Sequence, residues 1–137
     1  MVLDTDVVIA GMRSPTGASA ELLRMARRGE LTLLISVPFF IEYDAKCLEK
    51  EHLDAAGLTT QDVQVFLDAL TVIAKPVSIH FTWRPQLTDP ADEMVLETAI
   101  NGQAKALVTF NQRHFGKAPA AFGIELLLPS EALRRLR

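Results

Sequence analysis

Apolar positions fall in short blocks whose period switches between that of a strand and that of a helix. Val2-Leu3 opens as an apolar strand that runs straight into the acidic turn Asp4-Thr5-Asp6. Val7 to Met12 is apolar and fits either the first turns of a helix or a loop, before Ser14-Pro15-Thr16-Gly17 breaks the pattern. Leu22, Leu23, Met25 and Ala26 form a stripe that predicts a helix over 19–28, with Gly29 just past its end. A short strand is expected at Leu31–Ile35. Ser36 then caps a helix that tolerates Pro38 in its first turn and runs to about Glu51. Thr59 or Thr60 starts another helix, with Val63, Phe66, Leu67 and Leu70 on one face. Residues 72–81 read as partly extended and 83–87 as loop.

The clearest helix start is Asp89-Pro90, a capping carboxylate followed by proline at the first helical position, and the helix continues to Asn101-Gly102. Ala106–Thr109 reads as a buried strand, 111–122 as loop with one turn of helix, Ile124–Leu128 as the last strand, and Pro129-Ser130 as the entry to a C-terminal helix. Strands alternating with helices imply parallel crossovers and an α/β layered domain. No repeat, linker or low-complexity tract divides the 137 residues, so one domain over 1–137 is expected. In such sheets ligands gather at the carboxyl ends of strands, where Asp4 and Asn111 both fall.

Composition narrows the function classes. Hydrophobic residues are 49% and charged residues 23%, an ordinary globular balance. No apolar run is long enough to span a bilayer and no signal peptide is apparent, so no membrane role is expected. Cys47 is the single cysteine and has no internal partner, which suits a packed thiol and a reducing, cytoplasmic setting. The net charge of −3 does not advertise nucleic-acid binding, but acids gathered to hold cations would give the metal-free protein that sign. Arg24, Arg27 and Arg28, and Arg134, Arg135 and Arg137, read as solvated helix ends in preference to phosphate contacts.

Four features carry candidate chemistry. Asp4 and Asp6 end a buried strand, where unpaired charge is costly. Asp4 is the functional candidate, whereas Asp6 serves equally well as a helix cap. Glu42 follows the apolar stretch Val37-Pro38-Phe39-Phe40-Ile41, and two readings stand level: a site acid at the core margin, or a surface partner of Lys46 at i+4. Asp92 shares a helix face with Leu96, Ala99 and Gln103 and lies in a first turn, where the helix dipole favours an anion. Asp89 and Glu93 read as N-cap and surface acid. Thr109 and Asn111 supply oxygens at a strand end. Carboxylates from three elements make a hard-oxygen cage suited to Mg²⁺ or Mn²⁺. His52, His80 and His114 lack zinc spacing and read as surface or structural residues, and neither a phosphate-cradling glycine loop nor a Gly-x-Ser-x-Gly elbow is present.

Taken in order, four segments resemble the PIN-domain nucleases, especially their bacterial toxin-like branch: Val2-Leu3-Asp4-Thr5-Asp6-Val7, Ile35 to Tyr43, Asp89 to Ala99, and Leu107 to Phe115. The family opening is an apolar strand then Asp-Thr-Asn, so Asp6 stands where Asn is usual. The resemblance implies a three-layer α/β/α fold around a central parallel sheet, with Asp4, Glu42 and Asp92 binding the metal. Asp6, Thr109 and Asn111 would support them, and Asn111 occupies a position that is Asp in many members. It further implies a metal-dependent endoribonuclease, the toxin of a toxin–antitoxin pair, dimeric and held inactive by a small antitoxin. Arg113 and Lys117, near the strand-end loop, are the candidates for holding the RNA backbone. Two other readings remain: a PIN-like RNA-binding module weakened by Asn111, and a haloacid-dehalogenase-type phosphatase with Asp4 as nucleophile and Asp6 as general acid. Against the phosphatase, only Lys117 and Glu125 or Glu131 follow Thr109 to serve as its later motifs.

Overall fold

The computed structural model describes residues 1–82, 84 and 86–137, so Trp83 and Pro85 of the expected 83–87 loop lie outside the described residues. Strand β1 (Val2–Leu3) is followed by helices α1 (Thr5–Arg13) and α2 (Ala18–Arg27), strand β2 (Leu34–Ile35), and helices α3 (Val37–Cys47), α4 (Lys50–Ala56) and α5 (Thr60–Ile73). Strand β3 (Lys75–Pro76), helix α6 (Pro90–Asn101) and strand β4 (Ala106–Val108) come next. The chain ends with α7 (Gln112–Phe115), α8 (Ala118–Ala121), β5 (Glu125–Leu127) and α9 (Pro129–Leu136).

All strand pairs are parallel. β4 lies between β1 and β5, with Leu3 opposite Val108 and Val108 opposite Leu127, while β2 pairs with β3. Leu34 donates its N–H to the Met1 carbonyl at 3.0 Å, which sets β2 beside β1. Helices cover both faces: α6 packs on β1, β2 and β4 with α3 beside it, and α9 packs on β4 and β5 with α2 beside it. This is the expected three-layer α/β/α arrangement. Val2, Leu3, Leu107 and Val108 are fully buried, as strands covered on both faces require. Burying each such side chain stabilises the fold by about 1.5–3 kcal/mol.

Three local details differ from the sequence expectation. The helix expected to reach Glu51 stops at Cys47, and Glu49 is extended before α4 begins. The break turns His52 onto α1, where its ring meets Met12 Sδ at 3.3 Å and accepts from Arg13 Nε at 3.1 Å. The extended stretch expected from Val72 is instead helix through Ile73, because Val72 is 84% exposed and has no sheet to join. Beyond that helix lies the two-residue edge strand β3, where Pro76 has no N–H for the ladder. Gln103 lies beyond the end of α6 at φ +54°, so it does not share the face of Asp92, Leu96 and Ala99. Gly102, just before it, has no room for a side chain: a Cβ there would sit 2.9 Å from both the Thr98 carbonyl and Val77 Cγ2.

Candidate active site

β1 ends at the centre of the sheet, and Asp4 is the first residue beyond it. Asp4 continues the ladder, donating its N–H to the Val108 carbonyl at 2.9 Å. Its side chain caps α1, with Oδ1 accepting from Thr5 N at 2.8 Å, while Oδ2 accepts from the Thr109 hydroxyl at 2.7 Å. Asp4 is therefore buried, only 7% exposed, and oriented from two sides. Each carboxylate oxygen keeps further lone-pair capacity toward the cavity. Burial raises its pKa above the usual carboxylate range, and the charge of Glu42 adds to that, against the lowering effect of Thr109 and Thr5.

The helix cap is Asp4, not Asp6. Asp6 lies inside α1, and its Oδ2 accepts from Phe110 N at 3.0 Å and Asn111 Nδ2 at 3.1 Å. Its Oδ1 is buried with no hydrogen-bond partner among the described residues. Burial, then the charge of Asp4, pushes the Asp6 pKa up to about 6. Thr109 is fully buried and accepts from Asn111 N at 3.0 Å, so one hydroxyl fixes both Asp4 and the turn after β4.

Glu42 and Asp92 arrive on helices. The buried Tyr43 hydroxyl donates to the Leu3 carbonyl and so ties α3 to the end of β1, one residue from Asp4. At the start of α3, Ser36 Oγ accepts from Phe39 N at 3.3 Å and meets Thr98 Oγ1 of α6 at 2.7 Å. Thr98 donates to the Met94 carbonyl, which leaves Ser36 as the donor to Thr98. This chain of bonds locks α3 to α6 and hence Glu42 to the side of the sheet that carries Asp92. Lys46 pairs with Glu49 at 3.4 Å, not with Glu42. Asp92 Oδ2 lies 3.3 Å from His114 Nδ1. Burial and the charge of Asp4 raise the Asp92 pKa, while His114 lowers it.

Asp4, Asp6, Glu42, Asp92 and Asn111 all line one open cavity of about 260 Å³, together with Asp89, Lys46 and His114. Four of the predicted acids thus converge. Arg113 and Lys117 are exposed on and after α7 and lie outside that lining. Sequence reasoning missed His114, which is one helical turn beyond Asn111, and it misread Glu93. Glu93 is 4% exposed and accepts from Gln86 N at 2.6 Å and Leu87 N at 2.8 Å, holding the segment that leads to the Asp89 cap. Asp89 is the expected cap, accepting from Ala91 N at 2.9 Å.

The donor chemistry suits a hard divalent cation. Carboxylates come from three elements, and burial, with a smaller addition from neighbouring acids, holds Asp4, Asp6 and Asp92 above their usual pKa values. Among the described residues, no three acidic, histidine or cysteine side chains are drawn together at ligating distance. The chemical fit is therefore to the identity of the donors and not to a closed cage.

A family model for the PIN domain matches residues 1–113. The chain belongs to the PIN-domain family. PIN domains are generally nucleases that hydrolyse phosphodiester bonds, and the matched span contains Asp4, Glu42, Asp92 and Asn111. The rest of the chain, including β5 and α9, completes the sheet edge beside β4. No curated protein and no solved structure matches the chain. Family membership removes the support for the phosphatase reading.

Proposed function

We propose that this PIN domain, spanning 1–137, is a metal-dependent endoribonuclease of the toxin-like branch. The observation that carries the reading is the convergence of Asp4, Asp6, Glu42 and Asp92 in one cavity at the carboxyl end of a parallel sheet. Asp4, Glu42 and Asp92 would hold Mg²⁺ or Mn²⁺, which would supply an acidified water and neutralise charge building on the phosphate. Thr109 keeps Asp4 turned to the cavity, Tyr43 and Ser36 set the height of Glu42, and His114 orients Asp92. Water would attack phosphorus in line with the leaving sugar oxygen and give up a proton to solvent, while the P–O bond to that sugar breaks and the released oxygen takes up a proton from solvent. Arg113 and Lys117 hold the flanking RNA backbone. A cytoplasmic homodimer restrained by a small antitoxin completes this reading.

Asn111 favours a second reading, a weakened RNA-binding module. Its amide donates to Asp6, where an acid would add charge to the cage. Titration of the purified protein with Mn²⁺, followed by calorimetry and paired with RNA cleavage, separates the two. The nuclease requires Mn²⁺ binding and cutting, both lost in Asp4→Asn with the far-UV spectrum retained. RNA binding without metal uptake or cutting would establish the module, and full cutting by Asp4→Asn would overturn the assignment of the site.

A further inference from the structure

The acidic cavity presents an electrostatic problem to an RNA strand. Asp4, Asp6, Glu42, Asp89 and Asp92 put five carboxyl groups around about 260 Å³. One divalent ion would cancel two of those charges, so a phosphodiester, itself an anion, still meets a negative wall. Like charges at contact distance repel most where water is partly excluded. Arg113 and Lys117 do not relieve this, because they lie outside the lining.

Two side chains in the lining can carry positive charge, Lys46 and His114. His114 already faces Asp92, with Nδ1 3.3 Å from Oδ2. Lys46 is differently placed. It lies one helical turn beyond Glu42 on α3, so both side chains leave one face of that helix, about 5–6 Å apart at Cβ. Its ammonium pairs with Glu49, beyond the end of α3, at 3.4 Å. The two side chains of that pair are 49% and 54% exposed, and an ion pair so open to water contributes little. A compact ammonium on a flexible stem can therefore exchange the Glu49 carboxylate for a phosphate oxygen.

We propose that Lys46 receives the scissile phosphodiester: its ammonium leaves Glu49 and binds a non-bridging phosphate oxygen beside Glu42. The inference rests on the nuclease reading and names the cation that lets that site accept its substrate. Arg113 and Lys117 then act on flanking phosphates, and Glu49 competes with the RNA for Lys46.

The test uses the full chain and a labelled single-stranded RNA in Ca²⁺, which takes the same class of oxygen donors. Affinity is read by fluorescence anisotropy across a salt series, and Mn²⁺ uptake by calorimetry. Lys46→Met keeps a straight side chain suited to a helix and removes the charge. Its RNA affinity should fall about fourfold at about 0.15 M salt, and log K against log salt should be shallower by about 0.7, as for one lost phosphate contact on a single strand. Its Mn²⁺ uptake should match or exceed that of wild type, since a cation has left the acidic wall. Lys46→Arg should keep the wild-type slope, as should Lys50→Met, which alters an exposed lysine outside the lining. Glu49→Gln frees Lys46 and should bind RNA about twofold tighter. Wild-type affinity and slope in Lys46→Met would overturn the contact. Weaker Mn²⁺ uptake in that variant would also overturn it, making Lys46 a support for Glu42. If an RNA pool is still cut in Mn²⁺ in either case, the nuclease reading survives alone. A shallower slope without cutting under any metal would support the contact and remove the nuclease.

Discussion

Asp6 occupies a position where an amide would serve better for stability. Its carboxylate is largely buried, one oxygen has no hydrogen-bond partner among the described residues, and the charge of Asp4 is close by, so its pKa moves from 3.8 to about 6. The unfolded chain ionises Asp6 near 3.8, whereas the folded chain resists until about 6. The neutral side chain therefore favours the fold below pH 3.8, and that contribution is lost as pH rises through about 6. The shift corresponds to about 3 kcal/mol at 1.36 kcal/mol per unit. Water reaches part of the group, which reduces the figure to about 1.5–2 kcal/mol. Asp6→Asn never ionises and can still accept from Phe110 N. In EDTA near pH 7.5 it should be more stable than wild type by that amount. For 137 residues this is a rise in Tm of about 6 °C. Near pH 3.5 the two proteins should melt together. Thermal melts at both pH values decide it: an equal difference at both, or a less stable variant near pH 7.5, would refute the electrostatic argument.

Removing the Tyr43 hydroxyl leaves the Leu3 carbonyl buried without its donor; Tyr43→Phe should cost about 1–3 kcal/mol in urea denaturation and loosen Glu42. Asn111→Asp replaces a bond to Asp6 with like-charge repulsion. The metal-free variant should lose about 1 kcal/mol in EDTA, and calorimetry should show tighter Mn²⁺ binding than wild type. In His114→Ala the partner that lowers the Asp92 pKa is gone, so the acidic limb of the cleavage profile should move to higher pH. An unmoved limb would mean that Asp92 does not set it.

The parts of this molecule written in local chemistry were legible from the chain alone. Asp89-Pro90 and Ser36 with Pro38 start helices where expected, and Gly29 takes its left-handed conformation at φ +76°. Asp4 stood out as an acid ending a strand with no solvent-facing residue. What escaped was non-local. Glu93 looks like a surface acid until the 86–87 backbone folds over α6 and offers two N–H groups. His114 becomes a site residue only because α7 packs against α6 and brings it to Asp92. The stop at Cys47 has no proline or glycine to announce it; packing of His52 against α1 decides it. For Glu42 the chain offered two equal readings, and only the chosen partner of Lys46 and the tether of Tyr43 separate them.

Cleavage of a mixed RNA pool by the purified protein, in Mn²⁺ or Mg²⁺ and in EDTA with Asp92→Asn alongside, tests the central claim most directly. The account predicts cutting that requires the metal and disappears in the variant. Cutting that persists in EDTA or in Asp92→Asn would contradict it, as would intact RNA under every metal.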